Sequence, residues 1–276
     1  MFLSPFTPLN FTRHRHDGID SRYVQTFAST DEIMIQIIGG KTWAGVAKVY
    51  LEPTHEVLWE IVWNAWSING SDFLHFAVLC LSPGYYSVEI DGIGRSNVFR
   101  VTDDPLVLSN TTLVQYSMNS NRHRKDAVFF IDGMQRFFDF RVPGGFKDSN
   151  WTFAVEGEQF VTEESDIVQL YGIESTQKKF TLGNSDGCSV WYADMLNRIL
   201  CCSYVYFDGE RYARKDTSAP EPTVLLDGVD SFVFLQNLQR VVNMDSDYTI
   251  ENQTIIRAVD SNKYRLSSTN TNRIIK

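Results

Sequence analysis

The sequence predicts a mainly β protein, with a small N-terminal antiparallel β-sandwich followed by an α+β part with hairpins and one principal helix. Three observations support this. Short apolar runs follow one another closely over residues 32–104, Asp-Gly dipeptides recur at strand junctions, and residues 189–201 alone have convincing helical spacing. We expect an extended N-terminal arm (1–31), a β-sandwich domain (32–104) and an α+β structural domain with a polar C-terminal tail (105–276).

The first 31 residues contain Pro5, Pro8 and a basic patch, with little hydrophobic periodicity. This pattern is typical of an extended arm. Such an arm packs on a neighbouring molecule or remains a disordered terminus, and both alternatives stay open.

Six strand-like runs make up the predicted sandwich, and glycine- and proline-containing turns separate them. The runs are IMIQII, VAKVYL, EVLWEIVW, FLHFAVLC, YYSVEI and NVFRV. Alternation along EVLWEIVW predicts one face with Val57, Trp59, Ile61 and Trp63. We therefore expect both tryptophans in the sandwich core rather than on a sugar-binding surface.

The predicted boundary lies at residues 101–105, where paired acids and Pro105 end a strand. Strand-like runs on both sides of Asp-Gly predict tight hairpins, because this dipeptide tolerates the positive φ angles of such turns. Asp-Gly occurs at strand junctions beginning at Asp91, Asp132, Asp208 and Asp227. The intervals are irregular, so the sequence does not indicate a repeat protein.

WTFAVEGEQF and DIVQLYG are predicted strands that precede the principal helix. The principal helix is predicted from an apolar stripe that recurs every three to four residues. The stripe consists of Trp191, Tyr192, Met195, Leu196, Ile199, Leu200 and Cys202. Asp194, Asn197 and Arg198 occupy the opposite side, and Ser189 is the predicted N-cap.

Residues 183–187 match G-x-S-x-G, the pattern of a serine nucleophile elbow. In the α/β-hydrolase order, a histidine that serves as the base follows the serine. All five histidines precede Ser185, namely His14, His16, His55, His75 and His123. We therefore interpret Ser185 as part of a turn and helix start, and hydrolysis as a third-ranked function.

Composition and net charge disfavour several classes of protein. The net charge of −9 disfavours a nucleic-acid-binding protein, and 43% hydrophobic residues disfavour a disordered chain. No apolar run is long enough to cross a bilayer, and the opening MFLSPFTPLNF lacks the pattern of a secretory signal. We expect a protein made and kept in the cytoplasm until it assembles. Cys201 and Cys202 are interpreted as reduced, buried side chains, without a disulfide framework or zinc site.

Trp43 and Lys41 are the candidate glycan-binding residues, because a bulky ring in the glycine-rich loop GGKTWAG has no obvious core to join. The alternative is that Trp43 covers one end of the sandwich.

Metal and cofactor sites are not predicted. The Asn243, Asp245 and Asp247 alternation resembles the start of a calcium loop but lacks its glycine and bidentate glutamate. His14, His16 and Asp17 form a small cluster in the polar arm, which we interpret as unliganded. Glu163 and Glu164 are interpreted as solvated, and no phosphate-cradling loop is present.

Three segments carry a family resemblance. KKFTLGNSDGCSVWYADMLNRILCCSYVYFDGERYARK, FFIDGMQRFFDFRVPGGF and SPFTPLNF resemble segments of tail-region structural proteins of tailed phages and prophages of gut Bacteroidales. The resemblance covers about a quarter of the chain and has no catalytic signature.

The resemblance implies a non-enzymatic virion protein of the tail or baseplate, a subunit of an oligomeric ring. It implies other copies and neighbouring virion proteins as partners, without a nucleic acid or a membrane span. The alternative is a glycan-binding adhesion module for host attachment.

Overall fold

A computed structural model of the chain describes residues 1–11, 22–41, 43, 45–161, 163, 165–215, 221–225 and 231–241. These residues form a two-sheet sandwich followed by a closed barrel, with one principal helix. The predicted mainly β fold class is therefore confirmed.

The sandwich is built from the first ten strands. In chain order they are β1 (Phe2–Leu3), β2 (Gln25–Ala28), β3 (Ile33–Gly40), β4 (Ala47–Leu51), β5 (Glu56–Glu60), β6 (Asn64–Ser67), β7 (Asp72–Leu79), β8 (Gly84–Ile90), β9 (Gly94–Arg95) and β10 (Phe99–Thr102). One sheet has the order β1-β3-β7-β6 and the other β2-β10-β8-β4-β5, with β9 beside β8. Each of the six predicted runs overlaps one of these strands.

The sandwich core lies between the two sheets. Ile33, Ile35 and Ile37 of β3 are buried with Val49 of β4 and Val88 of β8. Alternate residues along these strands point inward, as expected for two sheets that pack face to face.

The prediction that Trp59 is a core residue is wrong. Every residue of β5 is exposed, and the Trp59 side chain is 42% exposed. β5 is an edge strand, and its pairing with β4 shifts register between Val49–Trp59 and Tyr50–Val57, so strict alternation fails. Trp63, beyond the strand, is half-buried and packs against the sandwich core as predicted.

The second half is a closed six-stranded antiparallel barrel. Its elements are β11 (Thr111–Ser117), β12 (Phe130–Ile131), β13 (Met134–Gln135), β14 (Phe138–Val161), β15 (Ile167–Leu182), β16 (Tyr204–Phe207), β17 (Glu210–Arg214), β18 (Glu221–Val224) and β19 (Phe232–Arg240). The pairings run β15-β14-β11-β16-β17-β19 and return to β15. β18 pairs with β19, while β12 and β13 form a separate hairpin.

Aromatic side chains fill much of the barrel core. Tyr116 and Phe138 stack with ring centroids 5.3 Å apart, and Phe180 meets Phe207 at 4.9 Å. The principal helix, α2 (Val190–Ile199), adds its buried face to this core. Ser189 occupies the predicted N-cap position, in extended conformation and without a side-chain capping bond.

Two of the predicted hairpins have the expected backbone. Asp132 and Gly133 have φ angles of 52° and 75°, and Asp208 and Gly209 have 46° and 86°. These positive angles are those that a two-residue hairpin turn needs. Asp91-Gly92 joins β8 to β9, and Asp227-Gly228 lies outside the described residues.

The described part of the predicted N-terminal arm is built into the body of the protein. β1 pairs with β3, and β2 lies parallel to β10. Phe6 is fully buried, and its carbonyl oxygen accepts a 2.6 Å hydrogen bond from the Tyr116 hydroxyl. Phe6, between Pro5 and Pro8, therefore anchors this segment. The segment lacks hydrophobic periodicity because it makes short, separate contacts with the rest of the protein, and not because it is an extended arm.

The sandwich and the barrel also share contacts across the predicted boundary. A short helix, α1 (Pro105–Leu108), occupies the boundary, and the Asp104 side chain caps it. The Gln36 amide group both donates to and accepts from the Val128 backbone, at 2.7 and 3.1 Å. Arg141 of the barrel pairs with Asp31, just before β3. The boundary is therefore a junction between two packed halves.

Candidate functional site

A two-stranded ribbon projects from the barrel. β14 and β15 pair from Gly144–Leu182 to Val161–Ile167, but β19 pairs with β15 only over residues 177–182. Residues 153–161 and 167–176 thus have only each other as strand partners among the described residues. At about 3.3 Å per residue, ten residues span roughly 30 Å.

Apolar side chains are unusually exposed on this ribbon. They are Phe153 (78%), Val155 (69%), Phe160 (49%), Val161 (64%), Ile167 (64%) and Leu170 (57%). Alternation along β14 places Phe153, Val155 and Val161 on one face, and Ile167 is paired with Val161. Phe153, Val155, Val161 and Ile167 therefore form an exposed apolar stripe on one face, while Phe160 lies on the other face. Exposed apolar patches of this kind mark surfaces that contact another molecule.

The projection of the ribbon away from other described strands also indicates that it contacts another molecule. Two-stranded ribbons are only marginally stable in water, because neither face buries enough apolar area to offset the loss of chain entropy. Sequence reasoning identified WTFAVEGEQF and DIVQLYG as strands but did not identify their surface as a site. A partial signal was present in the first run, where Trp151, Phe153 and Val155 occupy alternate positions before two glutamates.

The predicted glycan-binding residues lie at one end of the sandwich. The half-buried Trp43 ring lies with its centroid 5.3 Å from Trp63 and 4.9 Å from His75. A Cβ atom at Gly45 would collide with this ring. Lys41 is exposed. The contacts of Trp43 are those of a ring that covers the sandwich end, and glycan binding at Trp43 and Lys41 stays a prediction.

Ser185 lies exposed in a turn before α2. The Asn184 side chain accepts a 2.9 Å hydrogen bond from the Asp186 amide, which defines the turn. Within the described residues, no histidine hydrogen-bonds to Ser185. The local geometry is that of a turn and helix start.

Most of the other candidate acidic and metal-ligating residues lie outside the described residues. His14, His16, Asp17, Glu164 and the residues 243–247 lie outside the described residues, while Glu163 is exposed. The described part of the chain contains no group of three or more metal-ligating side chains. It also contains no helix with the length and apolar character needed to span a bilayer.

A polar cluster on the sandwich was not singled out from the sequence. The Glu52 carboxylate, 8% exposed, lies 2.7 Å from Arg95 Nη2 and 3.0 Å from His55 Nδ1. It also accepts a 2.9 Å hydrogen bond from the Ser87 hydroxyl. Three partners occupy this carboxylate, so it fixes the turn at residues 52–55 and is not an available base. Glu52 and Arg95 are distant in sequence, which left no local signal.

None of the four cysteines is in a disulfide, and their environments differ. Cys188 is buried and Cys202 is half-buried, where burial raises the pKa of the Cys202 thiol to about 12. Cys201, predicted to be buried, is instead exposed. Cys201 follows Asn197 by four residues, on the polar side of the helix, and its thiol donates to the Asn197 carbonyl oxygen at 3.5 Å, so it faces outward.

Comparison with known proteins adds little. No protein-family model matches the chain, and a search of curated proteins gives no significant match. A solved structure entitled "Crystal structure of Dpr2 Ig1-Ig2 in complex with DIP-Theta Ig1-Ig3" is similar over 81% of this chain and 89% of that chain. The sequence identity is 8% and the TM-score 0.17, a similarity too low to support an argument.

Proposed function

We propose that this chain is a non-enzymatic structural subunit of a bacteriophage tail or baseplate, which assembles with other copies of itself into an oligomeric ring. The observation that carries the proposal is the projecting ribbon with its exposed apolar stripe. Docking of the ribbon on a neighbour would bury this stripe and stabilise a strand pair that is marginal on its own.

A reciprocal exchange of ribbons between two copies would give a symmetric dimer, and a measured copy number above two distinguishes the proposed ring from it. In the ring, the ribbon of each copy contacts a different surface on the next copy. Such head-to-tail contacts generate a closed ring when the rotation between subunits closes. The phage assignment rests on the three resembling segments, and the proposed location is the virion, after synthesis in the cytoplasm of the host bacterium.

Glycan-mediated adhesion is a second proposal. Trp43 is only half-buried, and exposed Lys41 lies close by in sequence, so a ring edge and a cation remain accessible to a sugar. A glycan array tests this. Adhesion requires hits that Trp43→Ala removes, and an empty array at high protein concentration contradicts it.

Native mass spectrometry of the full chain over a concentration series tests the ring. The expected result is a closed oligomer of one defined copy number, together with detection of the chain in purified virions of its source phage. A chain that is monomeric at every concentration and absent from those virions would overturn the proposal.

A further inference from the structure

The charge of the ribbon narrows the choice of its partner surface. Between residues 152 and 176 the sequence has six acidic residues and no lysine or arginine. The acidic residues are Glu156, Glu158, Glu163, Glu164, Asp166 and Glu174. This segment therefore carries −6 of the −9 net charge of the chain.

A second ribbon is a poor partner for this surface. Ribbon-to-ribbon packing would bring twelve carboxylates together, and like charges at an interface oppose association. The rest of the chain carries a net charge of only −3, from −9 less −6, so it has room for cationic patches. The ribbon fits a surface that presents exposed cations.

The loop at residues 122–125 presents such a surface. Its sequence is RHRK, and Arg122 and Lys125 are exposed. Neither has an acidic partner within the described residues. Several other arginines are occupied inside the chain, including Arg198 by Asp194 and Arg240 by Glu210.

The loop is also held in place before any partner arrives. Arg124 forms a two-point ion pair with Asp126, at 2.8 and 2.7 Å, and lies over the buried Phe6 ring at 4.6 Å. The Asn121 side chain accepts hydrogen bonds from the Phe129 and Phe130 amides, at 2.8 and 2.9 Å. A loop fixed in this way loses little entropy on binding, which strengthens association.

We infer that the acidic ribbon of one copy docks on the basic loop 122–125 of the next copy. This inference rests on the proposed ring and names the two surfaces that form its repeating contact. The exposed apolar stripe supplies contact area, and the opposite charges select the partner surface and the register.

Paired charge reversals test the contact. Glu158→Lys with Glu174→Lys reverses two exposed ribbon charges, and Arg122→Glu with Lys125→Glu reverses the loop. Each double variant alone should assemble at least roughly tenfold more weakly at low salt. Mixed in equal amounts, the two variants should associate again, as alternating oligomers with an even copy number, because the reversed ribbon positions of one variant then meet the oppositely charged reversed loop positions of the other. Native mass spectrometry distinguishes the two variants by mass.

Glu56→Lys with Glu221→Lys is the matched control, since it makes the same charge change at exposed positions off the ribbon. It should assemble like the unmodified chain, and circular dichroism should show that all variants are folded. A ring that neither reversal weakens, or a mixture that stays dissociated, overturns the inferred contact and leaves the ring proposal standing. A chain that assembles only with another virion protein overturns the contact between copies.

Discussion

Arg141 and Asp31 form a two-point ion pair between the barrel and the segment that leads into the sandwich. Arg141 Nε lies 2.7 Å from Asp31 Oδ2, and Nη2 lies 2.9 Å from Oδ1. The side chains are 11% and 2% exposed. Burial alone would lower the pKa of Arg141, but the hydrogen bonds and charge of Asp31 raise it. Asp31 also accepts from the Ala28 amide at 2.8 Å, so the pair joins both halves.

Arg141→Met should lower the free energy of unfolding by about 3–5 kcal/mol, because it leaves the Asp31 carboxylate buried without its cation. Denaturant unfolding followed by circular dichroism measures this. The control is Arg240→Met, which removes the more exposed pair with Glu210 and should change stability by less than about 1 kcal/mol. Equal effects of the two substitutions would contradict a junction held by the buried pair.

Phe6→Ala should destabilise the protein by about 3–5 kcal/mol, because it leaves a cavity beside Tyr116 and Phe129 in the barrel core. Phe2→Ala is the matched control, since Phe2 is 45% exposed and should change stability by less than about 1 kcal/mol. Thermal unfolding provides the comparison. Little change in Phe6→Ala would restore the extended-arm prediction for the N-terminal residues.

Asp126→Asn should remove an acid-dependent part of the stability. Hydrogen bonding to Arg124 holds the pKa of Asp126 below its usual value, despite some opposing desolvation. A carboxyl group with a lower pKa in the folded state than in the unfolded state stabilises the fold. This contribution to the free energy of unfolding is complete above the unfolded pKa of about 3.9 and is lost as the pH falls through the folded pKa.

The difference in unfolding free energy between the unmodified chain and Asp126→Asn should therefore be below about 1 kcal/mol at pH 7 and shrink toward pH 2. Urea titrations at a series of pH values measure it. A difference that grows on acidification would show that the pair contributes with the opposite sign.

Val155→Thr combined with Ile167→Thr should weaken self-association. Each substitution keeps a β-branched side chain suited to a strand but places a hydroxyl group in the apolar stripe. If the contact buries the side chain, each substitution should cost about 1–1.5 kcal/mol of association free energy. The double variant should thus associate roughly 30-fold to 150-fold more weakly in sedimentation velocity experiments. Val62→Thr, 85% exposed on the sandwich, is the control. Unchanged association in the double variant would place the interface elsewhere.

Local sequence patterns predicted much of the secondary structure. The short sandwich strands, the positive φ angles at Asp132 and Asp208 and the N-cap at Ser189 all depend on neighbouring residues. The candidate site was predicted less well. Both strands of the ribbon were predicted from the sequence. Their projection beyond the barrel was not predicted, because it depends on where the pairing of β19 with β15 ends.

The sequence by itself determined the longer strands of the sandwich, several hairpin turns and the principal helix, because backbone propensity and side-chain periodicity act over a few residues. It did not determine β1, β2 or α1, which lie in the predicted arm and at the predicted boundary. Only the tertiary structure decided that six strands close into a barrel, that Phe6 enters its core, that Trp59 is exposed and that the ribbon projects. These outcomes depend on pairings between residues far apart in the chain. Many such pairings satisfy the same local pattern, and the total burial and hydrogen bonding of the whole chain select among them.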